Sequence, residues 1–441
     1  MQFVGREEEI ALLRKFRERA REAAQFVVLT GRRRVGKTAL LRQSLDDGKV
    51  PYLHLPITRQ SEKTLCKELQ GEVERVLQLD ILGASSSFRE LFQLLMKASS
   101  TRRFTVVLDE FQEFDRINPA VFSQVAAIWD EYHAESKINL VVCGSINRLM
   151  NKIFFNDGEP LYGRNTASFH LKPFKVSLLK RLMATYHPHY SPDDLLALWV
   201  VSGGVARYVD LMLSAKAVTR KQMLKEIFVS GSPYLMEGKS ILAEEFGPDY
   251  GVYFSILSAI ASGATTSAEM KNLVGTEVNG YLTKLEGQYG IISKKQPLFE
   301  KESSKNCHYQ IDDCFFRFWF RFVFKYRNLM ELERYEQMRQ IAERDFNVFA
   351  GYSLERYFLW KFTEEASYTK MGAWWNRKGE EEIDLVCEDE IKDQIDFFEV
   401  KHDRTRYERD GLVAKVSTFF QKYPKKKEMK HTLGVLSLAE M

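Results

Sequence analysis

The sequence predicts a multidomain α/β chain in which two αβ units flank a helical stretch and a compact three-helix segment. Three observations carry this. The 441 residues suffice for two to four domains at roughly 150 residues each. Residues 1–172 alternate short β-branched runs with helical patterns, the order of a parallel sheet with crossover helices. After a long helical stretch, the αβ alternation returns over 346–441.

In the first unit, 1–172, strands are expected at Phe26–Thr30, Tyr52–Leu55, Phe104–Leu108, Ile138–Cys143 and Ser168–Leu171. Their near-continuous apolarity fits strands buried on both faces. Residues 173–245 read as a helical lid, with Ser191-Pro192-Asp193-Asp194 as a helix start and Gly203-Gly204 as a break. Residues 246–312 read as a winged helix-turn-helix: a helix containing YFSILSAIA, a short one near SAEMKNL, a third from about Glu277 to Gln288, then IISKK and CHYQI as a hairpin.

Residues 313–345 read as a helical connector. Its aromatic run, Phe315–Tyr326, is interrupted at four-residue spacing by Arg317, Arg321 and Lys325. That pattern predicts a buried helix with one solvated edge and excludes a membrane span, which needs ~20 apolar residues. The last unit, 346–441, should hold a helix near Tyr352–Glu365, strands at EIDLVC and DFFEVK, a helix near Arg409–Gln421 and a strand at TLGVLSL. The run KYPKKKEMK at 422–430 reads as solvated surface.

Composition excludes several classes. With 45% hydrophobic and 28% charged residues the chain is neither disordered nor low-complexity. The 64 Lys and Arg against 60 Asp and Glu leave a net charge of +4, too small to argue nucleic acid binding from the total, so a basic surface must be local. The five Cys fit neither a disulfide framework nor the tight spacing of a zinc site, and the charged start MQFVGREEEIALLRKF lacks the apolar core of a signal peptide. Both point to a cytoplasmic protein without a membrane partner. The pair His187 and His189 has no acidic or Cys cluster beside it to complete a metal site.

Gly31-Arg32-Arg33-Arg34-Val35-Gly36-Lys37-Thr38 satisfies G-x4-G-K-[ST] between a strand and a helix, the context in which that spacing cradles phosphate. Backbone N–H groups of Gly31, Arg34, Val35 and Gly36, with Ala39 opening the helix, would surround the phosphates of ATP. Lys37 would sit on the outer phosphates, and Thr38 would offer its hydroxyl to Mg2+. About seventy residues later FTVVLDEFQEF ends a buried strand on Asp109, a second Mg2+ ligand, and Glu110, the group to orient or deprotonate the attacking water. Ser145, closing the strand INLVVCGS, either senses the γ-phosphate or begins the next turn.

These motifs, with FVGREEEI at the start, PLYGR at 160–164 and SGGVARY at 202–208, resemble the archaeal-type P-loop ATPase family, a branch related to AAA+ and STAND ATPases. The resemblance implies that Val4 to Glu7 lie near the adenine. It makes Arg164 a candidate γ-phosphate or intersubunit arginine, hence a homo-oligomer, and adds Arg207 to the nucleotide-binding set. Where the family places a proline after the lid valine, Ala206 stands here.

In EEIDLVCEDEIKDQIDFFEVK, Glu399 and Lys401 are two residues apart on one strand face, and a short hairpin brings Asp384 to the same face. Two carboxylates can hold Mg2+ for phosphodiester cleavage, while Lys401 positions the nucleophile or neutralises developing charge. The spacing, Asp384 then fourteen residues then Glu399-x-Lys401, resembles the PD-(D/E)XK nuclease signature. Glu355 matches the acidic residue that such folds place on their first helix, and Trp374-Trp375 resembles the tail that follows this ATPase in its family. His402 reads as a supporting or surface residue.

The winged helix carries Lys294, Lys295, Lys301 and Lys305 against Glu300 and Glu302, enough for phosphate contacts but not for base readout by a third helix bearing Glu277 and Glu286. The expected architecture is thus an AAA+-like P-loop ATPase with a helical lid, a winged helix and a C-terminal PD-(D/E)XK nuclease-like α/β domain. Its expected function is an ATP-driven switch on a nuclease acting on DNA or other nucleic acid. The alternatives are a nucleotide-gated scaffold that binds without cutting, and an ATPase whose tail only mediates assembly.

Overall fold

The computed structural model describes residues 3–81, 83, 85–145, 147–246, 250–301, 304, 306–377 and 379–441. They form two compact units, Gln2–Lys172 and Pro173–Met441.

In the first unit, strands β1 (Gln25–Thr30), β2 (Tyr52–Pro56), β3 (Phe104–Asp109), β4 (Ile138–Gly144) and β5 (Ala167–His170) form one sheet in the order β2-β3-β4-β1-β5. Every neighbouring pair is parallel. Period-two alternation sorts the central strands between two cores. Phe26, Val28, Val106, Leu108, Leu140 and Val142 face one layer of helices, whereas Val27, Leu29, Val107, Val141 and Cys143 face the other. Strands covered on both sides have no polar face to show, which is why they read as unbroken apolar runs. Parallel strands all end on the same edge, and β1, between β4 and β5, delivers the glycine-rich loop there.

The second unit begins with helices Val176–Tyr186, Pro192–Ser202, Ala206–Ser214, Arg220–Ile227 and Pro233–Phe246. Ser191 caps the second through a reciprocal box with Asp194, as its Ser-Pro-Asp-Asp start predicts. Helices Tyr250–Ala261, Ser267–Val274 and Asn279–Thr283 follow, the last continuing as a wider turn over Lys284–Gln288. Strands β6 (Ile292–Lys295) and β7 (His308–Ile311) then pair antiparallel. Lys305 and Glu302, named above for the hairpin, lie outside the described residues.

The aromatic run forms a helix, Cys314–Trp319, widening over Phe320–Phe324. Its arginines correct the expectation of a solvated edge. Arg317 stacks over Phe349 and Tyr352, 4.6 and 4.2 Å from the ring centroids, and Arg321 pairs with Asp345 at 2.8 Å. Only the stem end of the stripe, Lys325, is exposed. The partner of both arginines is one helix of 31 residues, Tyr335–Glu365, where two separate helices were expected. The domain boundary at 345/346 therefore falls inside a continuous helix.

That helix packs the helices that open this unit against its tail. Trp199, 1% exposed, donates its Nε1–H to the Ser353 carbonyl at 2.9 Å, and its ring meets Tyr357 and Trp360 edge-on. Glu364 caps the start of helix Val176–Tyr186 by accepting from the Ser177 N–H at 3.1 Å and from that of Val176. The tail sheet runs β11 (Lys430–Leu436), β10 (Gln394–Val400), β9 (Glu382–Asp389), β8 (Lys370–Trp375), with β10/β11 parallel and the other pairs antiparallel. Helix Arg409–Lys422 covers one face through Leu412, Val416, Phe419 and Phe420. Within the run at 422–430, Lys426 pairs with the buried Glu388 and lies 4.8 Å from the Phe299 ring, so that stretch is not uniformly solvated.

Gly238 is where two helices of this unit approach most tightly against an indole. A Cβ there would lie 2.3 Å from Trp319 Cδ2, and that indole is anchored by its Nε1–H to the Leu235 carbonyl at 3.1 Å. Gly238→Ala should therefore destabilise the protein by about 1–3 kcal/mol through overpacking, against a helix-propensity gain of about 1 kcal/mol. The check is the denaturant midpoint; an unchanged or raised midpoint would show that the indole can shift freely.

Candidate active sites

After β1 the chain turns at Gly31, φ 154°, where a Cβ would meet the Leu171 carbonyl oxygen at 2.9 Å. Arg34 (φ 70°) and Gly36 (φ 100°) take left-handed conformations, and Gly36 caps helix Lys37–Leu45. Such a turn directs successive N–H groups into one concavity at the positive end of a helix. Val35 is buried in the adjoining core, and Ala39 occupies the first turn of the helix. Lys37, 7% exposed, donates from Nζ to the carbonyls of Gly31 and Arg32 at 2.8 and 3.2 Å, so the ammonium is already folded over the loop. Burial lowers its pKa, opposed by the charges of Glu110 and Asp109.

Asp109 closes β3 beside it. Its Oδ2 accepts from Thr38 Oγ1 at 2.9 Å and lies 3.1 Å from His54 Nε2, while Oδ1 accepts from Cys143 Sγ at 2.8 Å. Burial alone would raise this carboxyl, yet the hydrogen bonds from His54, Cys143 and Thr38 outweigh it and hold the pKa at about 2. Asp109 is thus ionised at neutral pH. An ionised carboxylate touching a threonine hydroxyl is a hard oxygen pair suited to Mg2+. Glu110 sits at φ 55°, and its Oε2 accepts from Ser145 Oγ at 2.8 Å and from Gln112 Nε2. Ser145 therefore touches Glu110, a role distinct from merely starting a turn.

Arg164 does not join this group. It precedes β5, and its guanidinium is held by Asp130 at 2.7 to 3.1 Å and by the Pro160 carbonyl. Asp130 lies near the end of helix Ala120–Tyr132, which has run back from the β3 exit. Arg164 is therefore at the strand-entry edge of the sheet, opposite the glycine-rich loop, which corrects its assignment to the γ-phosphate of its own chain. Arg207 belongs to the second unit, in the first turn of helix Ala206–Ser214, 3.6 Å from Asp210. Val4 to Glu7 lead into helix Glu7–Arg19, where Arg6 donates to the Lys172 carbonyl at 2.7 Å and to Glu9 at 3.0 Å.

In the tail, β9 and β10 pair with Leu385 opposite Phe398, a register that puts Asp384 across from Glu399. Asp384 Oδ2 accepts from the Val400 N–H at 2.7 Å and lies 3.4 Å from Lys401 Nζ. Glu399, 5% exposed, is clamped at 2.6 Å on each oxygen, by Lys401 and by Lys415 of the covering helix. Burial would raise Glu399, but the two lysines pull its pKa below the ordinary value. Asp384 moves the other way, raised by burial and by the charge of Glu399.

Glu355, half-buried on the long helix, lines a cavity of about 480 Å3 that it shares with Glu382 and Asp384. Burial and the Asp384 charge raise its pKa strongly, and Glu382 is raised by the same two causes. His402 lies elsewhere, 3.3 Å from Asp193. Among the described residues no three His, Cys, Asp or Glu side chains converge closely enough to ligate one ion together. Mg2+ takes one or two carboxylates and keeps several waters, so Asp384, paired with Lys401 at 3.4 Å, together with Glu355 or Glu382 would be enough as donors.

Four participants escaped the sequence reading. His54, alternate with the buried Leu53 and Leu55 on β2, had a period-two signal that could have marked it as facing the strand ends. Cys143, Gln112 and Lys415 carry no such signal.

Residues 3–212 match a family model described as an ATPase domain predominantly from Archaea, and residues 319–412 match one described as archaeal and bacterial proteins of unknown function. An uncharacterised protein of Methanocaldococcus jannaschii is 29% identical over 411 residues, 90% of this chain and 87% of that one. Among solved structures, a Walker-type ATPase of Pyrococcus abyssi superposes with a TM-score of 0.53 at 20% identity, over 72% of this chain and 96% of that one. This chain thus carries an archaeal-type ATPase domain on an α/β P-loop fold, followed by a tail of a family whose function is unknown. No helix of the described residues is long and apolar enough to cross a membrane.

Proposed function

Starting from an ATPase domain over residues 3–212, we propose that ATP binding and hydrolysis at Gly31–Thr38 switch a metal-dependent nuclease in the tail. The observation that carries this reading is the meeting of Asp384, Glu399 and Lys401 within hydrogen-bond reach on β9 and β10. Their setting supports it: a helix, three strands, a helix and a fourth strand, in the order and mixed pairing of the PD-(D/E)XK core. Glu355 on the first helix opens into the same cavity.

In the ATPase, Lys37 and the loop amides bind the phosphates, Thr38 and Asp109 hold Mg2+, and Glu110 orients water. Held by Thr38 and Asp109, the ion would supply neutralisation of charge on the phosphates. Ser145 and Gln112 fix the Glu110 carboxylate. Arg164, at the far sheet edge, acts only across a subunit boundary, in a homo-oligomer. In the tail, Asp384 with Glu355 or Glu382 would hold Mg2+, which activates water for phosphodiester hydrolysis. Lys401 would neutralise charge on the phosphate, while Glu399 stays held between Lys401 and Lys415. Residues 246–312 would act as a winged helix whose exposed Lys294 and Lys295 contact the nucleic acid backbone. Five free cysteines fit a cytoplasmic location.

The clamp of Glu399 by two lysines favours a second reading, a nucleotide-gated tail that binds nucleic acid or protein without cutting. The two part on plasmid and single-stranded DNA incubated with the protein and Mg2+ or Mn2+, with and without ATP. Metal-dependent cutting that Lys401→Ala loses by about 100-fold or more is expected for a charge-stabilising group. ATP turnover without cutting under any nucleotide condition would favour the binding protein.

A further inference from the structure

In the first unit the central strands run in the order β3-β4-β1, so the end of β4 separates the ends of the other two. β1 leads into the glycine-rich loop and β3 into Glu110. A γ-phosphate held by the loop, and a water held by Glu110, therefore meet over the end of β4. That end is fixed by Gly144. A Cβ there would overlap Gln112 Oε1 and lie 2.6 Å from Met150 Sδ, so the strand end sits flush on its neighbours and holds Ser145, 5% exposed, in place.

One cation of the loop already spans this gap. Arg33 Nε donates to Ser145 Oγ at 3.4 Å, and Ser145 Oγ in turn donates to Glu110 Oε2 at 2.8 Å. Arg33 is half-buried and within electrostatic reach of Lys37, so two like charges share the mouth of the loop, and an anion between them relieves their repulsion. A bond of 3.4 Å to a neutral hydroxyl is weak, whereas a guanidinium bond to a phosphate oxygen is charge-assisted, shorter and roughly twice as strong. A γ-phosphate therefore outcompetes Ser145 for this side chain. Arg164, held by Asp130 at the opposite edge of the sheet, has no route to the phosphates of its own chain.

We propose that Arg33 is a catalytic residue of ATP hydrolysis and acts within its own chain, moving from Ser145 to the γ-phosphate oxygens. The assignment rests on ATP turnover at this loop with Glu110 as proton acceptor, and on nothing in the tail. As the water oxygen bonds to the γ-phosphorus, the bond from that phosphorus to the β-phosphate oxygen breaks, its electron pair leaves on ADP, and the water proton passes to Glu110. Arg33 keeps its own protons and neutralises the charge spread over the γ-phosphate oxygens. With ADP in the loop there is no γ-phosphate to hold it, and Arg33 returns to Ser145. The same side chain thus distinguishes the two nucleotides.

The test measures phosphate release and nucleotide binding for the full chain carrying Arg33→Gln or Arg33→Lys. Arg33→Gln should lower turnover by about 10³-fold, the low end for an arginine at a transferring phosphoryl group. Its affinity for fluorescent ADP should stay close to that of the parent, which also shows that the loop has folded, while its affinity for the slowly hydrolysed analogue ATPγS falls about tenfold. Arg33→Lys keeps the charge without the fork and should fall between the two. Turnover of Arg33→Gln within a few-fold of the parent, or equal losses of ADP and ATPγS affinity, overturns the proposal. Mixing Arg33→Gln with Lys37→Ala should restore no turnover; recovery would show Arg33 serving a neighbouring subunit and overturns the assignment to its own chain. A parent protein that binds ATP but releases no phosphate overturns hydrolysis at this loop, and the catalytic step of Arg33 with it.

Discussion

Glu110→Gln should lower ATP turnover by about 10²–10⁴-fold while nucleotide affinity stays close to that of the parent protein. On the proposed reading the carboxylate contributes only when the water attacks, so its loss falls on the chemical step. Glutamine keeps the size of the side chain, and the left-handed backbone at Glu110 stays as it is. What changes is the proton acceptor, together with the bonds that Ser145 and Gln112 now donate to Oε2. Phosphate release and binding of a fluorescent nucleotide separate the two quantities. Turnover within a few-fold of the parent would assign the water-orienting task elsewhere. Lys37→Ala differs in kind, because the Lys37 ammonium folded over the glycine-rich loop would, on the proposed reading, meet the phosphates, so its removal should weaken binding as well.

Glu399→Ala should destabilise the tail unit by about 3 kcal/mol, the low end of the cost of breaking a buried ion pair. Two lysines 2.6 Å from its oxygens would be left facing one another, and each keeps about a third of its side chain in solvent, which moderates the penalty. Because the folded pKa of Glu399 is depressed, its stabilisation is present above the unfolded value of about 4.3 and is lost as pH falls through the lower folded value. Asp384 and Glu355 act in the opposite sense. Their folded pKa values are raised, so each stabilises while protonated and loses that contribution as pH rises through the raised value. Chemical denaturation at neutral pH and near pH 4 measures these effects. An unchanged midpoint for Glu399→Ala would mean that the lysines find other partners at no cost.

What the sequence made legible is local. The strands of the first sheet are continuous apolar runs because both faces are covered, and the glycine-rich loop is a fixed spacing between a strand and a helix. Asp384, Glu399 and Lys401 could be brought together on paper because strand periodicity and one hairpin suffice. The rest depends on tertiary partners. Arg317 and Arg321 have the spacing of a solvated stripe, and only the long helix beside them makes them packing groups. Charged residues at 331–344 read as a linker, yet Met338, Ala342, Phe346, Phe349 and Ala350 form a buried stripe at helical spacing across the expected boundary. Arg164 was given its place by motif resemblance, whereas the return direction of a crossover helix set its actual edge. Lys415 reaches Glu399 from an element that no short motif connects to it.

The uninterrupted helix Tyr335–Glu365 also bears on how such proteins can be recombined. A graft that joined a foreign tail at residue 345 would cut through the helix that seats Trp199 and caps the lid, and would leave both halves with half a binding surface. The seam that keeps each hydrophobic core whole lies at 172/173. Residues 173–441 pack as one unit, so a core carrying a different glycine-rich loop would be spliced at that seam.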